Sequence, residues 1–395
     1  MKKNLYIMYA MALLQGMVFY SPIATLYRQA QGVTVFQITV IESISLALGI
    51  LLEIPWGIIA DKIGYRKTMV VCSGLYFVSK IIFWKATGFG SFLAERILLS
   101  VVLAGYSGVD SSILYLSCDG KDTQTVFGVY NSLGTVGLLI AAAVFSIFVQ
   151  ENYALAGLLT VVSYGIAALL SMGLTEVKQI RVEKSELESF KSTVQNALSN
   201  RTFLLFLVAV AFMSETHQTI TVFLNQLQYE RCGLQSSAIG FIYIVATILG
   251  VLGVYSTAVT KRVGLQRSLM LFCGLAIIAC LLLGLTTAIA PSVLGVLTLR
   301  IVDTLFQPYQ ADIQNKQVKT KNHATVLSVY AMIIDCVAIG TNLAFGALSD
   351  WSLSSAFFFG GGICVVSLIC FLLWQKHVIQ SESFKETLIE EGHSL

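Results

Sequence analysis

Among the side chains that can carry charge and sit inside apolar runs of this 395-residue chain are Arg96, Asp110, Glu215, Asp303 and Asp335. An ionisable group in hydrocarbon is costly, so each needs a task. A carboxylate buried there has its pKa pushed up and can pick up a proton from one side and release it to the other. Proton exchange is the chemistry these five offer, with Glu215 and Asp335 first, Asp303 and Asp110 behind them, and Arg96 as the cationic partner. Glu215 lies about 14 residues into its apolar run, or roughly 20 Å along a helix. Gln15, Glu42, Asn131, His217, Arg300 and Asn342 are the further polar groups in such runs, and they are candidates to line a substrate path. His217 is two residues from Glu215, so the two point to different sides of a helix. For each residue a fixed ion pair or hydrogen bond between helices is the competing role; Arg300 with Asp303, one turn on, is an example.

The elements that must position these groups are membrane spans. Apolar residues make up 56% of the chain and charged ones 12%, against roughly 25% charged in soluble proteins. A span needs about 20 apolar residues. Twelve runs qualify: 4–27, 36–59, 67–86, 91–117, 124–149, 153–175, 202–227, 236–259, 267–287, 291–315, 323–348 and 353–375. The first run is too long for a cleaved signal and is followed by more spans. Nineteen of the 25 Lys and Arg fall in segments on the side of the N-terminus, and three on the other side. By the positive-inside rule both termini face the cytoplasm.

A shift of 200 residues lays Thr125-Val126-x-x-Val129-Tyr130 on Thr325-Val326-x-x-Val329-Tyr330, and Lys62-Ile63-Gly64 on Arg262-Val263-Gly264. The chain is therefore two repeats in the same orientation. The expected organisation is a six-helix bundle at 1–175, a cytoplasmic linker at 176–201, a second bundle at 202–376 and a tail at 377–395. Within the linker, Leu187, Phe190, Val194 and Leu198 share one helical face, which predicts a helix lying on the inner leaflet. Glu53-x-Pro55 near the end of span 2 predicts a kink. Lys80, midway along span 3, is expected to snorkel past Trp84 to the surface.

Between spans 2 and 3 stands Gly57-Ile58-Ile59-Ala60-Asp61-Lys62-Ile63-Gly64-Tyr65-Arg66-Lys67. It resembles the signature loop of the major facilitator superfamily, with Gly57, Asp61, Lys62, Gly64, Arg66 and Lys67 in the signature positions. The resemblance implies an all-α membrane protein of twelve helices in two pseudo-symmetric bundles, opening alternately to the two sides. It implies that spans 1, 2, 4, 5, 7, 8, 10 and 11 line a central cavity, and the candidate polar residues within spans named above all fall on these spans, except Lys80. It implies a conformational switch in which Arg66 pairs with Asp119 and Asp61 faces the start of span 11. Arg96 with Gly105 resembles a weakened span-4 motif whose arginine takes part in proton transfer. Span 5 departs from the drug-antiporter pattern: it carries Gly128, Gly134 and Gly137 but no proline.

No metal or nucleotide motif occurs, and the eight cysteines show no paired spacing. The expectation is a secondary transporter of the plasma (inner) membrane, acting as a monomer on a small molecule. It is not an enzyme, needs no cofactor and binds no nucleic acid. The 23 Phe and 16 Tyr point to an amphipathic cargo. The coupling ion is the proton, with sodium as the alternative. Proton-coupled export leads; import of a metabolite by symport stands second, and a non-transporting sensor third.

Overall fold

Apolar runs of this length, with no water to satisfy their backbone, close their hydrogen bonds within each segment as helices. The computed structural model describes residues 2–118, 122–177, 194–195, 198–318 and 323–390, and no strand occurs among them. The side chains of 2, 53–54, 57–62, 265–266, 323–325 and 378–390 lie outside the description, as does most of the linker with its expected surface helix.

Among the described residues, twelve helices are long and apolar enough to cross a membrane. Spans 1 to 6 are Lys3–Ala30, Val35–Leu52, Tyr65–Lys85, Gly88–Leu116, Thr123–Val149 and Tyr153–Ser171. Spans 7 to 12 are Arg201–Arg231, Ser236–Val263, Arg267–Leu285, Ile289–Gln317, Val326–Trp351 and Leu353–His377. Two compact units hold them: Met1–Val182 with Phe223–Ile248, and Glu183–Val222 with Leu249–Leu395.

The repeat seen in the sequence returns in the packing of each unit. In the first, span 1 packs on spans 5 and 6, and span 3 on spans 4 and 6; in the second, span 7 packs on 11 and 12, and span 9 on 10 and 12. Small residues allow the closest approaches. A Cβ added at Gly137 would run into the carbonyl of Leu13, and one at Gly16 into the carbonyl of Gly134. The turns repeat too. Gly64 (φ 102°, ψ 144°) and Gly264 (φ 89°, ψ 149°) open spans 3 and 9 in a region of backbone space that is nearly closed to other residues.

Span 1 is not one helix. It runs as Lys2–Gly16, breaks, and resumes through a short 3₁₀ turn at Ser21–Ile23 into Ala24–Ala30. The first helix ends at Gly16, and Pro22 stands in the first positions of the 3₁₀ turn, where its missing N–H costs little. The freed backbone groups find partners on span 6. Ser163 Oγ donates to the Leu14 carbonyl at 2.6 Å, the Tyr164 hydroxyl to that of Gln15 at 2.6 Å, and Phe19 N–H to Thr160 Oγ1 at 3.0 Å. At the matching place in span 7 the helix widens into a π-turn at Thr219–Leu224. Pro55 and Pro308, by contrast, sit inside continuous helices, Val35–Ile63 and Ile289–Gln317.

Candidate functional site

Two buried polar clusters stand out, one in each unit. In the first unit, Glu42 of span 2 lies between two arginines. Its Oε1 is 3.8 Å from Arg28, and its Oε2 takes the Arg96 guanidinium of span 4. Glu95, next to Arg96 in sequence, points elsewhere and meets Lys80 of span 3 at 4.0 Å. Successive helical residues diverge by about 100°, so neighbours in sequence serve different partners. Lys80 donates to the Tyr20 hydroxyl at 3.2 Å. Its ammonium lies 5.0, 5.2 and 5.8 Å from the rings of Tyr76, Tyr164 and Tyr20, close enough for cation–π attraction.

Lys80 therefore does not snorkel. It is 5% exposed, enclosed by aromatic rings from spans 1, 3 and 6. The expectation failed because a lone lysine on an outer span has no visible partner in the sequence. Its cage is assembled only when Tyr20 and Tyr164 arrive from other spans. Glu95 and Arg28 were missed for the same reason, although Glu95 lies inside an apolar run and that alone marked it.

In the second unit, His217 Nδ1 of span 7 lies 3.3 Å from the Asp303 carboxylate of span 10. Thr221 lies 3.0 Å from the other ring nitrogen, Nε2. Gln307 donates to Asp303 from one turn on, at 3.4 Å. Beside the pair is a cavity of about 10 Å³, lined by Met213, Thr216, His217, Ala276, Leu299, Val302, Asp303 and Phe306. That is the lower limit for holding one water. Glu215 is buried on the other side of span 7 and accepts from the Thr219 hydroxyl at 2.6 Å.

The remaining candidates are spread over the two units. Gln15 donates to the Tyr106 hydroxyl at 2.7 Å, and that hydroxyl is also 2.7 Å from Ser73 Oγ. Asp110, half-buried in the first turn of the helix Val109–Leu116, accepts from the backbone and hydroxyl of Ser111. Asn131 is exposed on span 5. Arg300 and Asp335 are half-buried, and Asn342 is 2% exposed. Glu42 with Arg96, and His217 with Asp303, are two candidate pairs that the structure brings together across spans.

At the turn before span 3, Glu176 accepts from the backbone N–H of Arg66 at 3.2 Å, and the Arg66 guanidinium donates to the Met172 carbonyl at 3.3 Å. Lys67 is exposed. Asp119 and the side chains at Gly57, Asp61 and Lys62 lie outside the described residues, so the switch contacts expected of them do too.

At the end opposite that turn, the first unit takes in parts of spans 7 and 8. Gln226 Oε1 accepts from the backbone N–H of Thr25 at 2.8 Å, and Ser236 Oγ lies 3.2 Å from the Tyr153 hydroxyl.

The sequence profile described as Major Facilitator Superfamily matches residues 5–340. The chain belongs to the Major Facilitator Superfamily. Like the other members, it is a multi-pass membrane transporter. Solved structures of this superfamily share its fold at low identity. The nucleoside transporter NupG has a TM-score of 0.79 at 15% identity, over 95% of this chain and 100% of that one. A bacterial homologue of the human lysosomal transporter Spinster, inward-facing and unoccupied, has 0.70 at 14%, over 94% and 95%. A POT family transporter in complex with 5-aminolevulinic acid has 0.69 at 14%, over 95% and 96%. No curated protein matches.

Proposed function

We propose that this facilitator is a proton-coupled secondary transporter that exports a small amphipathic compound across the plasma membrane, with both termini cytoplasmic. Two six-helix halves, 1–175 and 202–376, alternate about a central site. The observation that carries the reading is the partner of Asp303. A buried carboxylate built only for structure is best served by a permanent cation. This one meets an imidazole of span 7, a partner that can exchange a proton with it. The pair can therefore pass a proton between imidazole and carboxylate, with Arg300 one turn from Asp303 on the same span. The cavity beside it leaves room for the water that such an exchange needs.

Asp303 with His217 thus leads among the coupling candidates, ahead of Glu215, whose carboxylate accepts from Thr219 on its own helix. Arg96 stays with Glu42 as the charged wall of the first half. Gln226 with Thr25, and Ser236 with Tyr153, are contacts that must part whenever the path opens at their end.

Import of a small metabolite by proton symport is the second reading. The test is purified protein in proteoliposomes with a pH-sensitive dye inside, an imposed proton gradient and a panel of amphipathic compounds. Protons moving against a compound support export; protons moving with it support symport. Compound movement with no proton flux removes the coupling reading.

A further inference from the structure

The charge held inside the first unit points to the charge of the cargo, an inference that rests on the transport reading above. Among the described residues of this cluster, Arg28, Lys80 and Arg96 stand against Glu42 and Glu95. Arg28, Lys80, Glu42 and Glu95 are each at most 7% exposed. The cluster is one electrostatic body: the charges that act on Glu95 are Lys80, Arg28, Arg96 and Glu42. Three cations and two carboxylates leave one positive charge in excess. An uncompensated charge in a membrane interior is expensive and marks a functional site.

The hydrogen bonds show the same shortage. A guanidinium has five N–H donors and no acceptor. One carboxylate, Glu42, serves two guanidiniums, and the Nε atoms of Arg28 and Arg96 are both buried without a hydrogen-bond partner. Lys80 is enclosed by tyrosines. The excess has one open approach: the Arg96 side chain is 25% exposed, against 8% for Arg28 and 9% for Glu42.

We propose that Arg96, backed by Arg28, is a recognition site for a monovalent anion, and that the transported compound presents a carboxylate or similar single negative charge there. A planar anion can take two parallel N–H bonds from a guanidinium, which a neutral group cannot match. A cationic compound would meet net repulsion. Glu42 is the resident competitor for the same donors and positions both arginines when the site is empty. Chloride has the same charge and is the other source of a monovalent anion.

The test is the melting temperature of the purified full-length protein in chloride-free buffer, titrated with three compounds of one skeleton: phenylacetate, phenylacetamide and phenethylamine. Phenylacetate should raise the melting temperature saturably, at concentrations at least about tenfold below those the amide needs, and the amine should give no shift. Arg96→Gln should abolish the preference, and Arg96→Lys should keep part of it, since charge remains and the fork is lost. If Arg96→Gln fails to fold, Glu42→Gln serves: removing the competitor should tighten phenylacetate binding. Equal shifts, no shifts, a preference for the amine, or an unchanged preference in Arg96→Gln would each overturn the assignment. Chloride is titrated in a separate arm. Protection that phenylacetate cannot displace would give the site to an inorganic ion and overturn the cargo assignment, whereas displacement supports it. Binding needs no gradient, so a failure of proton coupling in vesicles leaves this result standing.

Discussion

His217 and Asp303 meet across spans 7 and 10, 3.3 Å from imidazole Nδ1 to carboxylate oxygen, with Thr221 holding the other ring nitrogen at 3.0 Å. Both ring nitrogens are occupied, so the ring is fixed and only its protons are free to change. Removing the imidazole should therefore hurt more than the lost contact area alone. His217→Ala leaves a buried carboxylate short of a partner and should cost about 1–3 kcal/mol. The double variant His217→Ala/Asp303→Asn should recover part of that loss. Melting of the purified variants checks both, and additive losses would mean that the two side chains do not interact.

Lys80 and Glu95 make the corresponding pair in the first unit, at 4.0 Å. Breaking a buried pair by removing one partner costs about 3–5 kcal/mol, while replacing both by uncharged groups is often neutral. Lys80→Met should destabilise by that order, and Lys80→Met/Glu95→Gln should be the more stable of the two. Thermal unfolding in detergent measures the difference.

The glycines of span 5 are not equivalent. A side chain at Gly137 would meet the Leu13 backbone, which cannot turn aside, whereas the nearest atom to one at Gly134 is the Ala12 carbonyl at 3.9 Å. Gly137→Ala should destabilise by about 1–3 kcal/mol through overpacking. Gly134→Ala should be close to neutral. Paired melting curves decide, and equal effects would mean that spans 1 and 5 do not pack this way.

Asp122 caps the helix Thr123–Val144, accepting from the Thr125 backbone at 2.9 Å and from its hydroxyl at 2.7 Å. Those bonds, the hydroxyl's first, hold its carboxyl below the usual aspartate value. A depressed folded-state pKa means the cap contributes fully above the ordinary aspartate range and is lost as pH falls through the lower, folded value. Amide exchange at Thr125, corrected for the intrinsic pH dependence, should quicken over that acidic window. In Asp122→Ala it should be fast throughout.

Much of the fold was legible because membrane physics writes it plainly. Run lengths gave twelve spans, and the glycine at 64 with its mate at 264 marked matching turns. Pro22 stands in the turn that follows the break in span 1, but Pro55 and Pro308 look no different in sequence and interrupt nothing. What differs is the neighbourhood: span 6 brings Thr160, Ser163 and Tyr164 to the freed backbone of span 1. The polar partners were least legible. Asp303 stands one turn from Arg300, a pair visible in the sequence, whereas His217 reaches it from 86 positions away, which is not. Such pairings depend on helix rotation, which the apolar pattern of a lipid-facing span fixes only weakly.

The most direct measurement compares Asp303→Asn with the unaltered protein in two vesicle assays, exchange of cargo between equal pools and transport driven by a proton gradient. If Asp303 carries the coupled proton, the variant keeps exchange near the original rate and loses gradient-driven transport along with cargo-dependent proton flux. If Asp303→Asn still moves protons with its cargo at the original ratio, the His217–Asp303 pair is a structural bond between helices and the central claim is wrong.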